Sequence, residues 1–141
     1  MYTMLFIKQL WCKPQNWMPN ERKDNTLNYR MNWKLLQQEN QLVDIKEFSK
    51  TKPQLIFKHS TRCSISTMAK NRLERAIQPD GIDFYYLDLL KNRNISNNIV
   101  DMFDVYHESP QVLLIKNGEC VYDESHSGIN MADIEEQAKN K

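Results

Sequence analysis

The chain has 141 residues, 40% of them hydrophobic and 10% aromatic, with a formal net charge of +1. That is the length of about one domain with enough apolar material for one core, which excludes a wholly disordered chain. The near-neutral charge argues against a broad electrostatic grip on nucleic acid or an anionic membrane, and no apolar run approaches the length that spans a bilayer.

Residues 1–30 hold five Lys/Arg against two Asp/Glu. Around Trp11, Pro14, Trp17 and Pro19 they follow neither a helical nor a strand period. We read this stretch as a disordered arm, or as upstream sequence ahead of a start at Met31. Met4–Ile7 is too short an apolar patch for a secretory leader. Cys12, in the arm, receives no role.

A single domain is expected over 31–141, with elements in the order β-α-β-α-β-α-β-β-α. Trp33–Leu36 reads as a short strand, and Leu42, Ile45 and Phe48 recur at helical spacing in a helix ending near Thr51. Pro53 stops that helix, and Gln54–His59 follows as a buried strand. In Ser64–Ile77 the residues Ile65, Met68, Ala69, Leu73, Ala76 and Ile77 trace one apolar face of a helix, with Lys70, Arg72, Glu74 and Arg75 opposite. Pro79-Asp80-Gly81 is a turn into the strand Phe84–Leu89, and Ser96–Tyr106 is a short helix. Ser109-Pro110 breaks the chain before the strand Gln111–Lys116. Asn117-Gly118 then predicts a hairpin, since both central positions of such a turn need positive φ. Gly128 marks the turn into a last helix with Met131, Ile134 and Ala138 on one face. Helices alternating with buried strands predict an α/β fold, a central mixed sheet covered on both faces with the hairpin as an antiparallel edge.

The chemistry concentrates at the strand-to-helix junction Lys58-His59-Ser60-Thr61-Arg62-Cys63-Ser64-Ile65-Ser66. Three widely spaced cysteines with no C-x-x-C pair cannot build a disulfide framework, so one thiol must be singled out by context. Cys63 falls where unpaired backbone N–H groups of a helix start point outward and the macrodipole favours negative charge. Such a position favours the thiolate, the reactive form. Arg62 and His59 are expected to add positive potential, and the Ser66 hydroxyl, three residues on, to donate to the sulfur. The alternative is a small inert cysteine, with Ser60 or Thr61 as the helix cap. Because position 66 is serine, a redox-active site here cannot release its own mixed disulfide and needs an external thiol. No metal site is expected: His59 and Cys63 with Cys120 or His126 lack a paired-cysteine knuckle. Cys120 reads as a packed small residue of the hairpin, and His107 as a surface residue at a helix end.

The run Phe57–Ser66, with Tyr106-His107-Glu108-Ser109-Pro110-Gln111 and Ser125-His126-Ser127-Gly128-Ile129, resembles the monothiol bacilliredoxin-like proteins of the bacillithiol system, over roughly residues 32–139. The resemblance implies a thioredoxin-like fold. It further implies a nucleophilic Cys63 that takes bacillithiol from S-bacillithiolated client proteins and passes it to free bacillithiol, a co-substrate, with no bound cofactor. It implies a cis peptide bond before Pro110, with the Ser109 backbone pairing with an extended client segment and Thr61 lining the same site. His126 with Gly128 has two readings, a solvated turn or a receiver for a carboxylate of the small thiol at a helix N-terminus. A monomer in a bacterial cytoplasm is expected. Two rivals stay open: a non-catalytic thioredoxin-fold binding module for extended clients, and use of glutathione or another small thiol.

Overall fold

The computed structural model describes residues 30–141. The expectations for the arm, and Cys12 with it, lie outside the described residues. The elements follow the expected order: β1 (Trp33–Leu35), α1 (Asn40–Phe48), β2 (Gln54–His59), α2 (Ser64–Arg75), β3 (Asp83–Asp88), α3 (Arg93–Phe103), β4 (Gln111–Lys116), β5 (Glu119–Ser125) and α4 (Met131–Lys139), with a single 3-10 turn at His126–Gly128. The five strands form one sheet in the order β1-β3-β2-β4-β5. β1, β2 and β3 run parallel, while β4 is antiparallel to β2 and β5 to β4. The α/β class, the mixed sheet and the antiparallel edge are therefore as the sequence predicts.

Side chains alternate across β2, so the sheet carries two cores. On one face Leu55, Phe57, Phe84, Val112 and Leu114 pack against Ala69 and Leu73 of α2 and Met131 and Ile134 of α4. Trp33 stacks on Phe57 at 5.6 Å between ring centroids, and its indole N–H donates to Glu74 Oε1 at 2.9 Å. On the other face Ile56, Leu87, Leu113 and Ile115 meet Leu42 and Ile45 of α1 and Ile95, Ile99 and Phe103 of α3. The β4–β5 turn has positive φ at both Asn117 (51°) and Gly118 (82°), the geometry that the Asn-Gly pair selects.

Two boundaries shift, for local reasons. α2 ends at Arg75, because Ala76 is already extended with ψ 156°. α3 spans Arg93–Phe103 rather than Ser96–Tyr106, since Asp104 turns left-handed at φ 52° and ends the helix. The apolar face of α2 also differs from expectation. Ser66, Ala69 and Leu73 are buried, whereas Ile65, Met68 and Ile77 are exposed. Helical spacing admits both stripes, and the sheet selects the one containing the serine.

Candidate active site

Cys63 is itself the residue that opens α2, with extended backbone at φ −103° and ψ 120° and no side-chain cap on the helix. Its carbonyl accepts the first helical bond from Thr67 N at 3.0 Å, and its own N–H donates to Ser60 O at 3.1 Å. The capping roles weighed for Ser60 and Thr61 are thus not taken up. The half-buried thiol stands at a helix start whose first-turn amides lack intrahelical partners.

The neighbours of Cys63 sort differently from expectation. Ser66 is fully buried, and its Oγ accepts from Ser60 N at 3.0 Å and pairs with His59 Nδ1 at 2.6 Å. It is committed to the 59–60 backbone and ring, not to the sulfur, because α2 turns this position toward the sheet. His59 does not supply positive charge. It is 4% exposed among Phe57 and Tyr86, and burial, helped by the Lys70 ammonium, holds its imidazole below the ordinary histidine value and hence neutral near pH 7. Arg62 and Thr61 are both exposed, so Arg62 is the cation left beside the thiol. The exposed large apolar side chains include Ile65 and Met68 on α2, Leu90 after β3, and Tyr106, which is 93% exposed.

Strand register gathers the remaining candidates at the same end of the sheet. Lys58 pairs with Gln111, so the residues preceding β4 lie beside those following β2. Gln111 pairs in turn with Ser125, and His126 N donates to Pro110 O at 3.1 Å. The loops holding Cys63, Ser109–Pro110 and His126 therefore share one end. The Ser109–Pro110 peptide bond is cis, as the resemblance implies. Among the described residues Ser109 Oγ is buried without a hydrogen-bond partner, and neither the backbone N–H nor the C=O of Ser109 has one.

The anion-receiving reading of His126 and Gly128 does not fit the chain's course. A 3-10 turn of three residues, His126–Gly128, intervenes, with His126 at φ 54°. The next helix, α4, is capped by its own Asn130, whose Oδ1 accepts from Asp133 N at 2.9 Å, so its start is occupied. A Cβ at Gly128 would lie 2.4 Å from the end of the Glu124 side chain, which would have to swing aside. The charge that does reach this turn is Arg72 of α2, whose Nη1 donates to Ser127 O at 2.7 Å.

One cluster escapes the sequence reading altogether. Lys58 is fully buried on the α3 face of the sheet, and burial pulls its ammonium from 10.5 down to about 8. Its Nζ lies 2.8 Å from His107 Nδ1 and donates to Gln111 Oε1 at 3.2 Å. His107 lies in the loop after α3, exposed overall but with Nδ1 turned inward. Burial of that edge, then Lys58 and Arg93, lowers its affinity for a proton. A lysine sharing the period-2 face of Ile56, inside a run of six buried strand residues, was the available signal.

Cys120 packs against the α1–α3 core, where burial pushes its thiol up to about 11. Among the described residues no group of three or more His, Cys, Asp or Glu side chains is placed to hold a metal ion, and no helix is long and apolar enough to cross a membrane.

Comparison with known proteins agrees with this geometry. Residues 34–134 match a family described as monothiol bacilliredoxin BrxC. A solved structure described as a candidate oxidoreductase with a thioredoxin fold is 30% identical, with a TM-score of 0.65 over 73% of this chain and 90% of its own. Thioredoxins from Schistosoma mansoni (21% identity, TM-score 0.60, 79% of this chain and 94% of theirs) and Malassezia sympodialis (16%, 0.59, 74% and 85%) share the fold.

Proposed function

Because the chain belongs to the monothiol bacilliredoxin family, a family of thiol–disulfide redox proteins with the thioredoxin fold, we propose that it removes bacillithiol from S-bacillithiolated proteins through Cys63. The Cys63 thiolate attacks the bacillithiol sulfur of the client's mixed disulfide. A new disulfide joins Cys63 to bacillithiol, the old bond breaks, and the client sulfur leaves as a thiolate that takes a proton from water. Free bacillithiol, as its thiolate, then attacks the bacillithiol sulfur of the adduct. Bacillithiol disulfide departs and the Cys63 thiolate is restored. One client disulfide is reduced for each bacillithiol disulfide formed, so electrons balance without a bound cofactor.

The observation that carries this reading is the placement of Cys63 immediately before α2, with no side-chain cap on the helix, half-buried at the sheet end that also holds Ser109–Pro110. A helix start is a favourable setting for an anionic nucleophile or leaving group, and the exposed Arg62 precedes Cys63 in sequence. The buried Ser66 in the Cys-x-x-Ser pattern supports a monothiol route. The Ser109 backbone, without a partner among the described residues, and the exposed Ile65, Met68 and Tyr106 supply hydrogen-bonding and apolar surface for an extended client segment. Thr61, exposed in the same loop, is assigned to that surface too.

Incubation of the reduced protein with an S-bacillithiolated client, followed by mass spectrometry, tests the reading. The bacillithiol adduct is expected on Cys63, with the client thiol restored, and both are expected to vanish in Cys63→Ser. Transfer that persists in Cys63→Ser would refute it. A wild type that binds client peptide without accepting bacillithiol would leave a binding module in its place.

A further inference from the structure

Thiol exchange as derived above uses one face of the sheet, and the most unusual buried charge lies on the other. We propose that Lys58 is a positioning residue for client docking, its ammonium fastening from beneath the loop that presents Ser109 and Pro110. This rests on the reading of that loop as the client-binding edge.

Lys58 sits near the end of β2, fully buried, and grips the loop at two points. It reaches His107 Nδ1 at 2.8 Å, and Ser96 Oγ of α3 lies 3.2 Å from the same nitrogen. It also donates to Gln111 Oε1 at 3.2 Å. Gln111 extends the grip, since its Oε1 accepts from Glu108 N at 3.2 Å and its Nε2 donates to Tyr106 O at 3.0 Å. Residues 106, 107 and 108, which lead into Ser109, are thus held from the protein interior. The proton positions agree. An ammonium only donates, so His107 Nδ1 must accept, which requires the neutral ring that burial and Lys58 itself enforce. A charge buried in a strand interior is unfavourable without compensation. Buried polar groups that satisfy one another also restrict their surroundings to one arrangement. Here the restricted segment leads into Ser109, whose N–H and C=O have no hydrogen-bond partner among the described residues and which an incoming extended chain needs in fixed register. None of these hydrogen bonds involves Cys63, so the cluster acts on docking and not on the sulfur.

The test compares wild type, Lys58→Met and His107→Ala, each in a Cys12→Ser background. Each reacts with 5,5′-dithiobis(2-nitrobenzoate) and with an extended cysteine peptide whose sulfur carries thionitrobenzoate. In both reactions Cys63 displaces the coloured thiolate and keeps the other half as a mixed disulfide. Dividing each rate by that of free cysteine gives a preference for peptide over small reagent. Wild type is expected to prefer the peptide, and both variants to lose three- to tenfold of that preference while their rate with the small reagent changes less than twofold. Preference equal to wild type in both variants, rates that fall together, or no preference in wild type would overturn the proposal. His107 is exposed, so His107→Ala keeps the test open should Lys58→Met fold poorly. Failure of the bacillithiol reading shows up elsewhere, as a wild type that prefers the peptide yet leaves an S-bacillithiolated client untouched.

Discussion

Replacing Lys58 by Met should reveal what the buried ammonium costs the fold. Met has similar length and no charge, and it orphans no partner: Gln111 Oε1 still accepts from Glu108 N, and His107 Nδ1 keeps Ser96 Oγ. In the folded protein the Lys58 proton affinity falls from 10.5 to about 8. At about 1.4 kcal/mol per tenfold change in proton affinity, that amounts to about 3 kcal/mol. Below pH 8 both folded and unfolded chains hold the proton, and the full cost is present. Between pH 8 and 10.5 the folded chain has released a proton that the unfolded chain still binds, so stability rises with pH. Wild type should therefore gain about 2.5 kcal/mol relative to Lys58→Met between pH 7 and pH 10. Other titrations are common to both proteins and cancel, and the change at His107 falls below this window because its affinity is lowered from 6.5. Urea unfolding followed by circular dichroism at both pH values measures the effect. With slopes of about 1–3 kcal/mol per molar urea, the gap between the two midpoints should move by about 0.8–2.5 M. A gap that stays constant from pH 7 to pH 10 would refute the assignment of Lys58 as a charge held against burial.

The other sites give simpler expectations. Ser66→Ala removes the partner of two buried groups, His59 Nδ1 and Ser60 N, and should lower stability by about 1–3 kcal/mol in urea unfolding; an unchanged midpoint would mean that water replaces the hydroxyl. Gly118→Ala places a side chain at φ 82°, with only the Lys46 side chain in ordinary contact at 3.5 Å, so its cost is conformational, about 1 kcal/mol, read as a lower Tm in calorimetry. Cys120, with its thiol raised from 9.0 to about 11, should be carbamidomethylated by iodoacetamide at pH 8 about a hundredfold more slowly than after unfolding; peptide mapping reads the difference, and equal rates would refute its burial.

Strand β2 and strand β4 were legible to the residue, because unbroken apolar runs bounded by Pro53, Ser109-Pro110 and Asn117-Gly118 leave little freedom in placing them. Helix α2 was legible in position but not in rotation. Ile65, Met68 and Ile77 fit an apolar stripe as well as Ala69 and Leu73 do, and only packing against the sheet decides that Ser66 goes inward. That one rotation accounts for the misplaced Ser66 hydroxyl and for the exposure of Ile65 and Met68. His59 failed for a related reason. Sequence places it four residues before the thiol, but strand alternation sends its ring into the Phe57–Tyr86 layer, where the neutral form is favoured. The position of Cys63 between a strand end and a helix start was legible, since β2 ends at His59 and α2 begins at Ser64 as the sequence predicts.

Lys58 and His59 are adjacent in β2 and take opposite faces, and the pair divides the labour of the site. His59 and Ser66 brace the 59–60 turn on the α2 face, next to the thiol. Lys58 and Gln111 brace the 106–108 loop on the α3 face, next to Ser109. A dipeptide at one strand end thereby links the loop that carries Cys63 to the loop proposed above to hold the client. Neither residue touches sulfur, yet moving either by one position would exchange their faces. The ammonium would then enter the aromatic layer of Trp33, Phe57 and Tyr86, and the imidazole would face α3 too short to reach both His107 and Gln111. A lysine followed by a histidine at this strand end is thus a geometric requirement of the two-loop arrangement. The double substitution Lys58→His with His59→Lys should disturb peptide preference and small-reagent rate together, unlike Lys58→Met, which should spare the second.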